Sequence, residues 1–279
     1  ISPTSTRNGM TLTKQCALAL LLTLLPAATA GAARERDGHP ADTLRLASYN
    51  IRNARGLDGA ASYDRTAQAI RRLDADVVAV QEIDSATHRS GGRDVLGELA
   101  ARTSMHATYA PAISFDGGKY GIGVLSREKP LTCRHRALPG REEARTLLIV
   151  EFERYVVCCM HLSLTEEDRM RSLPIICDEA AKARKPLFIA GDMNAQPGSA
   201  FMRELQRHFR LLSRPDRPTY PADKPRETID YIAAHAADTA RYVLLRTQVW
   251  DEPAASDHRP VTADVVLLPG GEHQSAARP

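Results

Sequence analysis

Between residues 43 and 268 the chain is punctuated by short apolar runs, most of which end on a polar motif. Runs of strand length fall at 44–49, 77–80, 121–125, 147–152, 155–160, 187–190, 229–233, 242–249 and 261–267. Helical spacing lies between some of them. Over 64–73, Asp64 is placed to cap a helix whose Ala67, Ile70 and Leu73 share a face, and 94–103, 165–184 and 199–208 follow similar patterns. Pro174 predicts a kink or a split in the third of these, because proline lacks an N–H and crowds the preceding turn. Only Glu153-Arg154 separates the runs at 147–152 and 155–160, a spacing that predicts a tight hairpin and hence an antiparallel component. Strands and helices interspersed in this way predict an α/β or α+β fold.

At 279 residues and 43% hydrophobic composition, the chain suits one large domain better than two small ones. Residues 1–30 read as a leader: Lys14, the apolar stretch 16–25, Pro26 and the small run Ala28-Thr29-Ala30 form a signal-peptide pattern, with cleavage expected after Ala30. The apolar stretch is too short for an ordinary transmembrane helix, so export to the periplasm or the medium is expected rather than a retained anchor. The first methionine is Met10, so residues 1–9 are read as upstream of the native product. Residues 31–42 and 269–279 are polar, small or rich in Pro and Gly, and are expected to be a disordered linker and tail around a domain at 43–268.

Removing residues 1–30 takes away Arg7 and Lys14 and no acid, so the formal charge falls from +3 to +1. Tight non-specific binding of a phosphate backbone normally needs a clear basic excess, so this balance argues against a strong nucleic-acid binder. Arg203, Arg207, Arg210, Arg214, Arg217, Lys224 and Arg226 do form a local basic stretch, readable as substrate steering or as a solvated face. Cys133, Cys158, Cys159 and Cys177 remain after cleavage. An exported compartment permits one disulfide, with buried free thiols the alternative, and Cys158 and Cys159 should face opposite sides of their strand.

The candidate chemistry sits at the run ends: Ser48-Tyr49-Asn50-Ile51, Gln81-Glu82-Ile83-Asp84, Met160-His161-Leu162, Gly191-Asp192-Met193-Asn194, Thr228-Ile229-Asp230-Tyr231, and Ser256-Asp257-His258 before Arg259-Pro260-Val261. Each motif delivers one or two side chains able to hold metal or phosphate, as one site gathered from the whole chain would require. Glu82 follows a buried run, and a hard cation such as Mg²⁺ is held by one or two such carboxylates. His258 is the candidate general base, since imidazole titrates near neutrality and can take a proton from water. Asp192 and Asn194 point to one face if their strand continues, and Gly191 permits close approach of backbone to a ligand. The plainer readings are a surface acid for Glu82, a satisfied core histidine for His161 and a turn for Ser-Asp-His. They lose weight as the motifs accumulate. The chain has no glycine-rich nucleotide loop, nucleophilic-serine elbow or paired-cysteine motif, which excludes NTPases, α/β-hydrolases and zinc deaminases.

In order and spacing the motifs resemble the endonuclease/exonuclease/phosphatase superfamily, which includes deoxyribonuclease I, apurinic endonucleases, bacterial sphingomyelinases and inositol polyphosphate phosphatases. Residues 48–52 with Gly56-Leu57-Asp58-Gly59, Arg89-Ser90-Gly91-Gly92 and Tyr120-Gly121-Ile122-Gly123 resemble the small secreted bacterial members most. The resemblance implies a four-layer α/β/β/α sandwich of two mixed β-sheets flanked by helices, with the site at one edge of both. It implies Glu82 as principal metal ligand, with Asn50 and Asp257 on the metal side, and it pairs Asp230 with His258. It also implies that Asp192 positions the nucleophile or a second metal, and that Asn194 and His161 donate to phosphate oxygens. Tyr120 is a candidate substrate contact or a structural residue. Related bacterial sequences commonly carry Asn where this chain has Ile122.

The function expected is that of an exported Mg²⁺-dependent phosphoester hydrolase, with Mn²⁺ as the other candidate cofactor. A phosphodiesterase using histidine-activated water comes first. The alternatives are a phosphatase acting on lipid headgroups or inositol phosphates, and a non-catalytic binding protein on the same scaffold. The substrate is left between nucleic acid and phospholipid or inositol phosphate. No stable protein partner is implied, and a monomer is expected.

Overall fold

The computed structural model describes residues 42–269, so the expected leader, nearly all of the linker and nearly all of the tail lie outside the described residues. Twelve strands are present among them: β1 (Thr43–Asn50), β2 (Val77–Ser85), β3 (His106–Phe115), β4 (Gly118–Ser126), β5 (Thr132–Leu138), β6 (Arg145–Glu151), β7 (Val156–His161), β8 (Leu187–Asp192), β9 (Phe209–Leu211), β10 (Asp230–His235), β11 (Tyr242–Val249) and β12 (Val261–Leu267). They form two six-stranded sheets, ordered β11-β12-β1-β2-β4-β3 and β5-β6-β7-β8-β10-β9. Within each sheet one central pair is parallel, β1 with β2 and β7 with β8, and the other pairs are antiparallel. Both sheets are therefore mixed.

Three apolar layers show why the central strands read as nearly continuous apolar runs. Leu44 and Leu46 of β1 meet Val157 and Cys159 of β7 between the sheets. Ala47 and Tyr49 of β1 instead pack with Ile70 and Leu73 of α1 (Tyr63–Leu73) and Leu96 and Leu99 of α2 (Val95–Thr103). On the far side, Val156, Cys158 and Met160 of β7 pack with Leu173 and Ile176 of α3 (Glu166–Lys182) and Phe201 and Leu205 of α4 (Ala200–Leu205). A strand covered on both faces has no polar alternation to show. The order is helices, sheet, sheet, helices, the four-layer sandwich that the family resemblance implies. Cys158 and Cys159 do face opposite layers, and the four cysteines among the described residues are free thiols.

Several local expectations change. Helix α1 is capped by Ser62, whose Oγ accepts from Arg65 N at 3.3 Å, so Asp64 lies inside the first turn. Pro174 does not divide α3, which runs through it as one helix. Proline and Met170, whose carbonyl loses its partner, are both exposed, so water can take the freed acceptor. The run at 199–208 yields only the short α4. Strands β3, β5 and β9 went unpredicted. β3 and β5 are edge strands whose side chains are exposed or half-buried apart from Ala110 and Leu138, and β9 is a three-residue edge.

Candidate active site

Register does much of the assembly. His161, the last residue of β7, pairs with Asp192 at the end of β8, and Asp192 pairs in turn with Asp230 at the start of β10. In the other sheet, Asn50 ends β1 opposite Gln81, one residue before Glu82. The loop before β12 closes the ring, with Ser256 Oγ donating to the Asn50 carbonyl at 2.7 Å and accepting from His258 N at 3.3 Å. One edge of both sheets thus holds residues from six separate segments.

Glu82 reaches this edge by a different route from the one the sequence suggested. Strand β2 does not end there; it continues to Ser85, and its ladder with β4 slips between Val80 and Ile83. Glu82 occupies that bulge with φ +60, a left-handed conformation that a non-glycine residue adopts at a cost and that turns its side chain out of the strand's alternation. Asn194 also departs from the extended path. With φ +47 it turns just beyond β8, its N–H donating to Asp192 Oδ1 at 2.9 Å and its Nδ2 to the Leu162 carbonyl at 2.9 Å.

Two hydrogen-bonded groups organise the centre. Asn50 Nδ2 donates to Glu82 Oε1 at 2.9 Å and to Asp192 Oδ2 at 3.1 Å, while its Oδ1 accepts from Arg52 N at 3.1 Å. The amide therefore bridges two carboxylates of opposite sheets. In the second group, His258 Nδ1 lies 2.9 Å from Asp230 Oδ2, and Thr219 Oγ1 accepts from Ile229 N at 3.3 Å and Asp230 N at 3.4 Å. Asp192 Oδ2 stands between the two imidazoles, 3.5 Å from His161 Nε2 and 3.7 Å from His258 Nε2. The Tyr220 ring lies 4.9 Å from that of His258.

A cavity of about 520 Å³ opens onto these groups, lined by Glu82, Tyr120, His161, Asp192, Asn194, Asp257 and His258 among the expected residues. Asn50 and Asp230 are buried behind it. Tyr120 lines the cavity, and its ring sits 5.5 Å from the Arg89 guanidinium, which is itself paired with buried Asp84 at 2.7 Å. Glu143, Arg145, Leu164, Gln196, Tyr220 and Glu227 also line it and were not singled out from sequence. Arg145 begins β6, and because β6 runs antiparallel to β7 its first residue falls beside the end of β7. Strand starts as well as strand ends feed this edge, a signal available in the hairpin spacing.

Burial and charge set the protonation. Burial raises the Glu82 carboxyl above its usual range, opposed by the Asn50 hydrogen bond, with Asp192 and Asp257 adding to the rise. Burial also drives His161 down to about 4, against the pull of Asp192, so its imidazole is neutral at neutral pH. For His258, burial acts downward but is outweighed by Asp230 and Asp192, which push it up to about 10.

The donor set fits a hard divalent cation. Glu82, Asp192, Asp230 and Asp257 concentrate carboxylate charge at a largely buried site, and Asp230 Oδ1 is buried without a hydrogen-bond partner among the described residues. Asp192, Asp230 and His258 each bring one ligand-competent atom within 4.8 Å of the others. Asp230 Oδ2 and His258 Nδ1 are engaged with each other, however, so that trio suits a proton relay better than a cation. Of the four central carboxylates, Glu82 and Asp257 line the cavity without such a partner histidine.

Residues 47–258 match the Endonuclease/Exonuclease/phosphatase family. The chain belongs to this family. Its members hydrolyse phosphoester bonds, and the two-sheet sandwich is their fold. Among solved structures, an endonuclease/exonuclease/phosphatase from Beutenbergia cavernae is 22% identical with a TM-score of 0.67, over 81% of this chain and 72% of that one. A mannosyl-6-phosphatase from Bacteroides thetaiotaomicron is 16% identical with a TM-score of 0.63, over 80% and 100%. The human Nocturnin catalytic domain with bound sulfate is 17% identical with a TM-score of 0.62, over 81% and 95%. Among curated proteins no sequence matches.

Proposed function

We propose that this family member is an exported phosphodiesterase that depends on Mg²⁺ or Mn²⁺ and hydrolyses its substrate by direct attack of water on phosphorus. The observation that carries the reading is the His258–Asp230 pair at 2.9 Å, with His258 also lining the cavity that holds the carboxylates. Asp230 fixes the imidazole so that Nδ1 carries the proton and Nε2 is the atom left to take one from water. Neutral His161 has one N–H to give to a non-bridging oxygen, and the second Nδ2 hydrogen of Asn194 can serve another. Glu82 and Asp257 would hold the cation, with Asn50 positioning Glu82 and Asp192. When bound, a divalent cation polarises the phosphoryl group, stabilises the leaving oxygen and offsets the carboxylates that otherwise keep His258 protonated. No covalent enzyme intermediate is needed. Export rests on the leader pattern of residues 1–30.

The charge of the cavity favours a diester. Its lining carries the carboxylates Glu82, Glu143, Asp192, Glu227 and Asp257 against one arginine. A monoester dianion meets more repulsion there than a singly charged diester. None of the basic residues between Arg203 and Arg226 lines the cavity, which favours a small or headgroup diester over a long polyanion tracked by a basic groove. The test is hydrolysis of bis(p-nitrophenyl) phosphate against p-nitrophenyl phosphate in Mn²⁺. A preference for the diester supports the reading, and turnover of the monoester alone replaces it with a phosphatase.

A further inference from the structure

Arg145 is the one lysine or arginine among the described residues that line the catalytic cavity. It is 7% exposed, at the start of β6, and a guanidinium this buried is normally held by a full set of acceptors. Its donors are unevenly committed. Nη1 lies 3.1 Å from Glu143 Oε1, but Nη2 is 3.5 Å from Glu142 Oε1, and Nε is buried with no hydrogen-bond partner among the described residues. Glu142 is occupied elsewhere: it accepts from Leu164 N at 2.7 Å and from Ser163 Oγ at 2.9 Å, tying its segment to the loop beyond His161. The local backbone is packed onto the arginine. A Cβ on Gly140 would sit 2.0 Å from the Glu143 carbonyl and 2.9 Å from Arg145 Cγ, so only glycine lets this turn close over the side chain.

We propose that Arg145 is a specificity-determining residue that binds the substrate's phosphoryl oxygens through its Nε–Nη2 edge, exchanging the loose contact with Glu142 for a bidentate one. That edge is the half of the guanidinium with uncommitted donors, and two parallel N–H···O bonds to a phosphate are the geometry arginine provides and lysine cannot. Arg145 already lines the cavity, so the exchange requires this edge to turn toward it while Glu143 keeps Nη1. His161, beside the Arg145 charge, is neutral, so Arg145 contributes the permanent positive charge of this wall. The inference rests on the phosphoester reading of the site, but it concerns binding and is tested apart from turnover.

The experiment is titration of the full chain with inorganic phosphate by calorimetry in Mg²⁺, for wild type, Arg145→Gln, Arg145→Lys and Glu143→Gln, with melting curves for each. Arg145→Gln should weaken phosphate binding at least tenfold and Arg145→Lys by a smaller factor. Glu143→Gln, which removes a competing anion, should tighten it severalfold. With bis(p-nitrophenyl) phosphate the arginine variants should raise KM more than they lower kcat. Unchanged phosphate affinity in folded Arg145→Gln overturns the proposal, as does a wild type that binds no phosphate. Should the arginine variants fail to fold, unchanged or weaker phosphate affinity in Glu143→Gln overturns it equally. Arginine-dependent phosphate binding in a chain that hydrolyses no ester would sustain the proposal and remove the phosphodiesterase reading.

Discussion

His258 Nδ1 and Asp230 Oδ2 meet at 2.9 Å in a pair that is almost wholly buried, His258 coming from the loop before β12 and Asp230 from the start of β10 in the other sheet. Residues 28 positions apart are thereby locked across the sandwich edge. Asp230→Asn keeps the size of the side chain but removes the charge that orients and loads the imidazole. It should lower kcat by roughly 10² to 10⁴-fold with little change in fold, measured on bis(p-nitrophenyl) phosphate. Activity within a factor of two of wild type would sink the relay.

The same pair has a signature without metal. Asp230 and Asp192 overcome burial and push His258 up to about 10, from an unfolded value of 6.5. A raised histidine contributes stability that is complete below pH 6.5 and is lost as pH rises through about 10. In chelator, the His258 ring should titrate far above free histidine by NMR, and Asp230→Asn should bring it down by more than one pH unit. A ring titrating near 6.5 in wild type would contradict the geometry.

Glu82 is held against its own preference, raised by burial and strained at φ +60. A carboxyl raised on folding destabilises the metal-free protein above its unfolded value, so Glu82→Gln should stabilise that form by about 1 kcal/mol, or roughly 2–4 °C in Tm. The same variant should lose most of its affinity for Mn²⁺ in calorimetry. Unaltered Mn²⁺ binding would remove Glu82 from the ligand set.

Gly191 lies on β8 one residue before Asp192, and a Cβ there would stand 2.0 Å from the Met160 carbonyl of the neighbouring strand. Gly191→Ala should therefore cost about 1–3 kcal/mol through displaced backbone and reduce activity by shifting Asp192. Gly198→Ala is the control, since nothing lies within 4 Å of its added Cβ. Equal stability of the two variants in urea would contradict the packing.

Far from the site, buried Glu179 of α3 is held by Arg134 and Arg136 of β5. Burial acts to raise its carboxyl, but the arginines prevail and hold it below its usual value of 4.5. Its stabilisation is present above pH 4.5 and lost as pH falls below it. Glu179→Ala leaves two half-exposed arginines that water can solvate, so the loss should be about 1–2 kcal/mol at pH 7 and vanish in acid. A loss that persists undiminished at pH 3 would assign the role to packing instead.

What was legible in the sequence follows from burial. The nine strands that carry apolar runs are central or pack on a core, while β3, β5 and β9 lie at sheet edges where exposure lets polar residues in. The polar motifs marked His161 and Asp192 at strand ends, and Asp230 and His258 at or just before strand starts, because both kinds of terminus converge on one edge. Two features needed tertiary context. The bulge at Glu82 depends on the mismatch of β2 with β4, and no local composition announces it. Arg145 follows the charged run Arg141-Glu142-Glu143, which reads as a solvated loop, and the antiparallel pairing of β6 and β7 is what carries its position to the site.

The most direct test of the account is the initial rate of bis(p-nitrophenyl) phosphate hydrolysis by the chain in Mn²⁺, alongside His258→Ala and a chelated wild type. The account predicts clear diester turnover that falls by at least 10²-fold in both. Wild-type-like turnover in folded His258→Ala, or full activity in chelator, would contradict histidine-activated, metal-assisted hydrolysis at this site.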